Sequence, residues 1–216
     1  MPMPTPLKTL PTLLLLALLT ACAEAPSLKE EKSTEFAAEG LHPVRSSGFA
    51  SAYVHPDAQL SFYRTVNIET LETGNIDMGT TTVTGTLRRD WMMTPERESA
   101  LRQVWASAMD RAFSAYARES TGEDTLRITA AITRIAPGNR SATTIGGSLQ
   151  PMGSSQPVVE IFMEFRLYNQ DSGALLAVIR DSRTMISQAM SRTAPAGVQS
   201  MFNSWAALLH TRVSGR

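Results

Sequence analysis

The sequence predicts an α+β domain: a two-layer sandwich whose four- to five-stranded sheet, largely antiparallel or mixed, carries two amphipathic helices on one face. Three observations predict it. Two stretches repeat apolar residues at three- and four-residue steps, four others alternate apolar and polar residues, and the order of these segments is strand, helix, three strands, helix. No internal repeat interrupts that order. The chain of 216 residues, 43% hydrophobic and with 20 basic against 20 acidic side chains, has room for one core and lacks the charge excess of a nucleic-acid or basic membrane-surface binder.

The first strand holds Val66 and Ile68. Thr80 to Leu87 is β-branched and is a candidate fifth strand, weakened by Gly85. The first helix begins at an N-cap, Thr94, followed by Pro95 and the acidic Glu96 and Glu98. Leu101, Val104, Trp105, Ala108, Met109, Ala112, Phe113 and Tyr116 form its apolar face, and its end is expected near Ser120, before Gly122. Leu126, Ile128, Ala130 and Ile132 form the second strand. Val159, Ile161, Met163, Phe165 and Leu167 form the third, and Leu175, Ala177 and Ile179 the fourth, with a hairpin across Asn169 to Gly173. The second helix spans Pro195 to Val213, with Val198, Met201, Phe202, Trp205, Leu208 and Leu209 on one stripe.

Before this domain lies a targeting segment. Lys8 is a short basic region, Leu10 to Leu19 an apolar run, and Leu19, Thr20, Ala21 and Cys22 have the form of a lipobox. About ten apolar residues fall short of the roughly 20 that a membrane-spanning helix needs. Cys22 is the single cysteine of the chain, and its place at the cleavage point favours lipidation of its thiol over an unpaired cysteine in a secreted protein. The organisation expected is a signal peptide over 1–21, a lipidated cysteine and flexible tether over 22–46, and the α+β domain over 47–216. A tether of that length would hold the domain about 25–30 Å from the membrane. Ala23, rather than an aspartate, follows the cysteine, which points to the periplasmic side of the outer membrane.

No reaction is legible. His42, His55 and His210 stand apart from carboxylates and from Cys22, and no G-x-S-x-G, P-loop or G-x-G-x-x-G occurs. Glu160 and Glu164 share a strand face but lie about 13 Å apart along it, too far for a carboxylate pair. Met185 and Met190 fall in one polar connection, but no methionines cluster in spacing and Met109, Met163 and Met201 sit on expected core faces, so the methionines read as core filling more readily than as Cu(I) ligands. Trp91 reads as a staple-like contact on the first helix. Accordingly no enzyme activity, metal or cofactor is expected, and the partners are the membrane, through lipid on Cys22, and a protein, which includes a second copy.

Two regions are candidate partner contacts. The pleat sends Phe162, Glu160, Glu164, Arg166 and Tyr168 away from the helices. The fourth strand is apolar on both sides, with Leu176 and Val178 on the outward one. Something should cover that patch: the segment around Phe49 and Tyr53 folding back, or a second protein chain. The loop from Pro137 to Gln156, with four glycines and four serines, joins two strands and offers Ile145, Leu149 and Met152.

Ser47, Gly48 and Phe49 through Tyr53, then Leu60, Tyr63, Val66 and Ile68, Ala131 to Thr133, Asp171 to Gly173, and Trp205 with Ala206 resemble the small lipoproteins of Gram-negative bacteria grouped as a domain of unknown function. The resemblance covers roughly residues 47 to 213, and the hairpin lacks that family's usual Thr before Gly173. It implies a lipidated envelope protein without assigned activity. In layout the chain is also distantly similar to auxiliary lipoproteins of envelope transport systems. The functional reading is thus a non-enzymatic binding or envelope-assembly role, with a carrier of a small apolar ligand or lipid as the alternative.

Overall fold

The computed structural model describes residues 24–78, 93–119, 121–122, 124–137, 144–145, 148–149, 158–186 and 196–215. The chain runs β1 (Ser27–Leu28), β2 (His42–Arg45), β3 (Ser51–Val54), a 3-10 turn (Leu60–Phe62), β4 (Thr65–Ile68), α1 (Pro95–Ala112), β5 (Ala117–Arg118), β6 (Thr125–Pro137), β7 (Thr144–Ile145), β8 (Ser148–Leu149), β9 (Val158–Asn169), β10 (Leu175–Ile186) and α2 (Ala196–Ser214). One mixed sheet has the order β1-β2-β3-β10-β9-β6-β4-β5, and β7 pairs with β8 separately. β4 is parallel to β5 and β6; the other pairs are antiparallel.

The α+β class is as expected, but the sheet has eight strands rather than four or five. The four expected strands are β4, β6, β9 and β10. The additions, β1, β2, β3 and β5, are two to four residues long, too short to show an alternating pattern, and Pro43 inside β2 reads as a breaker in sequence although an outer strand accommodates it. The candidate strand Thr80 to Leu87 lies outside the described residues, as do Trp91, Met190 and the leader with Cys22.

α1 starts as its cap dictates: the Arg97 N–H donates to Thr94 Oγ1 at 3.3 Å, with Pro95 in the first turn. It stops at Ala112, about two turns earlier than expected. Arg118 folds back, donating to the Met109 carbonyl at 3.4 Å and pairing with Asp110 at 3.2 Å, a cation where the helix dipole favours one. That frees Ala117–Arg118 to pair with β4. The hairpin forms where expected, with the Gly173 N–H on the Asn169 carbonyl at 3.0 Å and Gly173 at φ 69°, a conformation that favours glycine.

Both helices cover one face of the sheet. Trp105 stacks on Phe165 at 5.7 Å between ring centres, Trp205 meets Phe165 at 6.4 Å, and Trp105 meets Phe202 edge-on at 5.5 Å. The expected inward residues of β6 and β9, from Leu126 to Ile132 and from Val159 to Leu167, are all buried. β10 runs seven residues past Ile179, through Asp181, Ser182 and Arg183 to Ile186. It is legible in sequence only as far as its apolar alternation lasts, so Met185, expected in a connection, is buried on the helix side of this strand.

The segment 24–45 is not an open tether. Its two strands bracket a tight turn in which the Ser33 N–H reaches the Leu41 carbonyl at 2.8 Å and the Leu41 N–H the Phe36 carbonyl at 3.2 Å. Phe36 and Leu41 are buried against Val178 on the sheet face opposite the helices, with Tyr53 and Leu175 packed around them. The segment's polar composition hid this. Only two large apolar residues are needed to seal one end of a sheet face, and two residues carry no period.

Candidate functional site

The outward face of the sheet is where the expected contact residues can be followed. Phe162, Tyr168 and Val178 lie on it. Leu176 does not: a register shift between Leu175 and Ala177 turns Leu175 outward, to Val178 and Phe36, and Leu176 toward the main core. A bulge moves one residue across the pleat, which simple alternation misses. The cover over Val178 is likewise different from expectation. Tyr53 takes part, but Phe49 packs on the helix side, 6.1 Å from Phe165, and the covering residues are Phe36 and Leu41. Ile145 and Leu149 fall in the β7–β8 pair, and Met152 lies outside the described residues.

The covered half of the face is held by charge. Arg180 donates through Nε to Glu164 Oε2 at 2.7 Å and through Nη1 to Glu35 Oε2 at 2.9 Å, while its guanidinium lies 5.3 Å from the Phe36 ring centre. Arg166 donates to the other oxygen of Glu164 at 2.7 Å. Glu164 is thereby clamped between two arginines with its side chain 13% exposed. Both guanidiniums hold their protons more tightly than usual, Arg180 chiefly through Glu35 and Arg166 chiefly through Glu164. The Arg180 hydrogen bond in turn holds the Glu35 carboxyl below its ordinary range.

That shift has a sign. A carboxyl with a depressed folded pKa adds stability above its unfolded value, about 4.3, which is lost as pH falls through the folded one. Because Glu35 is half exposed, the pair is worth less than about 1 kcal/mol. With the intrinsic pH dependence of amide exchange divided out, protection across residues 33–41 should therefore fall below pH ~4, and Glu35→Gln should show that lower protection already at neutral pH, with no further step in acid. A step that survives in Glu35→Gln would place the titration elsewhere.

The half with no cover among the described residues lies on β6 and β9. Arg127 spreads over the Tyr168 ring at 4.4 Å and pairs with Glu69 at 3.6 Å, and Arg134 lies over Phe162 at 5.6 Å. Arg127 Nε is buried without a hydrogen-bond partner among the described residues. Arginine stacked on aromatic rings is the side-chain chemistry enriched at protein interfaces. Sequence reasoning named the rings and missed the arginines, because their partners are fixed by the pairing of β6 with β9: Arg127 opposite Tyr168, Arg134 opposite Phe162. A bulge at Thr133 sets the second of these pairs. Glu160, by contrast, accepts from Ser182 Oγ at 2.6 Å, so the two glutamates of this face serve separate partners.

Elsewhere, a groove of about 470 Å³ runs between α1 and the β4 edge, lined by Ile68, Leu71, Arg102, Trp105 and Arg118. A second, of about 320 Å³, lies by Phe62, Tyr63 and Asn169. Among the described residues no three His, Cys, Asp or Glu side chains come together as a metal site, and no helix is long and apolar enough to cross a membrane. His210 packs edge-on between Phe113 and Tyr116, and His42 donates to the Lys29 carbonyl at 2.9 Å.

No protein-family model and no curated protein matches the chain. Among solved structures it is similar to a point variant of the PelC dodecamer from Paraburkholderia phytofirmans at 13% identity, covering 76% of this chain and 95% of that one with a TM-score of 0.38. It is also similar to the hypothetical protein CT253 from Chlamydia trachomatis, at 6% identity over 70% and 98% of the two chains and a TM-score of 0.41. A third is the DUF330 protein XCC0632 from Xanthomonas campestris, at 12% identity, 75% and 87% coverage and a TM-score of 0.34. Likenesses at this level assign neither family nor role.

Proposed function

We propose that this chain is a lipoprotein of the cell envelope, held through a lipid on Cys22 at the periplasmic side of the outer membrane, which acts by binding a protein partner or a second copy rather than by catalysis. The observation that carries the reading is the sequence Leu19-Thr20-Ala21-Cys22 at the end of an apolar run, with Cys22 the only cysteine. Two or three acyl chains there, at about 0.8 kcal/mol per buried CH₂, would make attachment effectively permanent, where one chain would not. The binding part rests on the half of the sheet face that has no cover among the described residues, with its Arg127–Tyr168 and Arg134–Phe162 pairs. A carrier of a small apolar ligand or lipid is the less favoured reading: the layer between the central strands and the helices is filled by Trp105, Phe165, Phe202 and Trp205, each 1% exposed or less, and the groove between α1 and the β4 edge carries Arg102, Asp110, Arg118 and Glu119 on its lining.

Replacing Cys22 with Ser should release the chain from membranes or leave the leader uncut. Unchanged membrane fractionation together with an unchanged mass would overturn the reading.

A further inference from the structure

The folding of residues 24–45 onto the sheet changes what a lipid on Cys22 would do. Glu24, two residues from Cys22, accepts a hydrogen bond from Ser46 Oγ at 3.1 Å. Ser46 sits just past β2 in the left-handed region, at φ 53°, and the corner is fastened to α2, where Arg212 Nε donates to the Ser47 carbonyl at 2.6 Å. Gly48 makes that approach workable: at φ 80°, a Cβ there would stand 3.2 Å from the Arg212 guanidinium and 3.3 Å from Leu208. β1 follows at once, Leu28 opposite Val44, with the Lys29 N–H on the Pro43 carbonyl at 2.8 Å.

The chain between the lipid and this corner is therefore short. Two residues reach at most about 7 Å, and the five from Cys22 to Ser27 at most about 18 Å. The headgroup layer on each side of a bilayer is itself roughly 5–7 Å thick. A lipid on Cys22 would set Glu24 and Ser46 at headgroup level, where an open tether would have left the domain well away from it. Leu28, on the outermost strand and six residues from Cys22, is 43% exposed and one of only two large apolar side chains that stand out from the described surface.

We propose that the β1–β2 edge of the sheet, with the Glu24–Ser46 corner, is a membrane-docking surface that rests on the phospholipid headgroups and inserts Leu28 between them. The proposal rests on lipidation of Cys22. The edge carries exposed Lys29, Lys32 and Arg45 interleaved with Glu30 and Glu31, so its hold comes from the short anchor and the apolar side chain, and should depend little on anionic lipid or on salt.

The experiment uses the full lipidated chain. A thioether at Cys22 leaves no free thiol, so Leu28→Cys, Arg45→Cys and Asp171→Cys each offer one site for a thiol-reactive fluorophore. Asp171 lies in the turn at the opposite end of the strands from Arg45. In phosphatidylcholine vesicles containing headgroup-level nitroxide lipids, the probes at 28 and 45 should lose most of their emission and the probe at 171 should keep it. The same pattern should hold when phosphatidylglycerol is added or the salt is raised. Equal emission at all three positions on vesicle-bound protein would overturn the docking and leave the lipid anchor standing. A parent chain that takes up the fluorophore at Cys22 would overturn the lipidation, and the docking with it.

Discussion

Phe165→Ala should lower the stability of the domain by about 3–5 kcal/mol, the largest effect expected of any single substitution. The reason is position. Phe165 is fully buried on the central strand β9, and its ring touches those of Phe49, Trp105 and Trp205, so one side chain joins the sheet, both helices and the chain leading into β3. Its neighbours are held by different elements and cannot all close on the space it leaves, so the cavity cost adds to the lost transfer free energy. For a domain of this size about 3–5 kcal/mol corresponds to a fall in melting temperature of roughly 6–20 °C, which calorimetry would read directly. A loss below about 1 kcal/mol would mean that the two-layer packing is wrong.

Asp181→Ala should follow, with a loss of about 2–4 kcal/mol. Asp181 stands in the inward column of β10 between Ile179 and Arg183, opposite Met163 of β9, and its side chain is 11% exposed. It is accommodated because its oxygens accept three donors: Trp205 Nε1 at 2.6 Å, the Ala50 N–H at 3.1 Å and Arg183 Nε at 3.4 Å. Arg183 in turn lies over the Trp205 ring at 5.5 Å and donates to Ser204 at 2.7 Å. Truncation would strand a buried indole N–H and unfasten the turn before β3 from the sheet. Asp181→Asn keeps acceptor oxygens on one side only and should lose about half as much. Chemical denaturation followed by tryptophan fluorescence would measure both, and an Asp181→Ala chain as stable as the parent would show that the carboxylate is not what seats the helix.

Asp181 also shows where sequence reading ends. The central strands β6 and β9, both helices, the Thr94 cap and the hairpin at Gly173 follow from apolar period and turn chemistry. They are legible because each buries a whole face or stripe. β10 is legible only to Ile179, because beyond it the inward positions Asp181 and Arg183 are polar, and what makes them tolerable is Trp205, distant in sequence. The folding of residues 24–45 was hidden for the converse reason: Phe36 and Leu41 are two apolar residues in a polar stretch, and their partner, Val178, is visible only once the sheet is assembled.

On the outward face, Phe162, Tyr168 and Val178 were identifiable from the pleat. Leu176 was misplaced by a bulge that leaves no trace in composition. Arg127 and Arg134 acquire meaning only through cross-strand pairing, and a second bulge sets the register of one of them. Period-two reasoning thus finds the face but not the register of side chains upon it.

Lipidation of Cys22 underlies both the anchoring and the docking, and intact mass spectrometry of the chain extracted from membranes tests it most directly. The predicted result is a protein that begins at Cys22 and carries the added mass of a thioether-linked diacylglyceryl group, with or without an amide-linked acyl chain on its new amino terminus. A chain with Cys22 unmodified, whether the leader is retained or cut elsewhere, would contradict it.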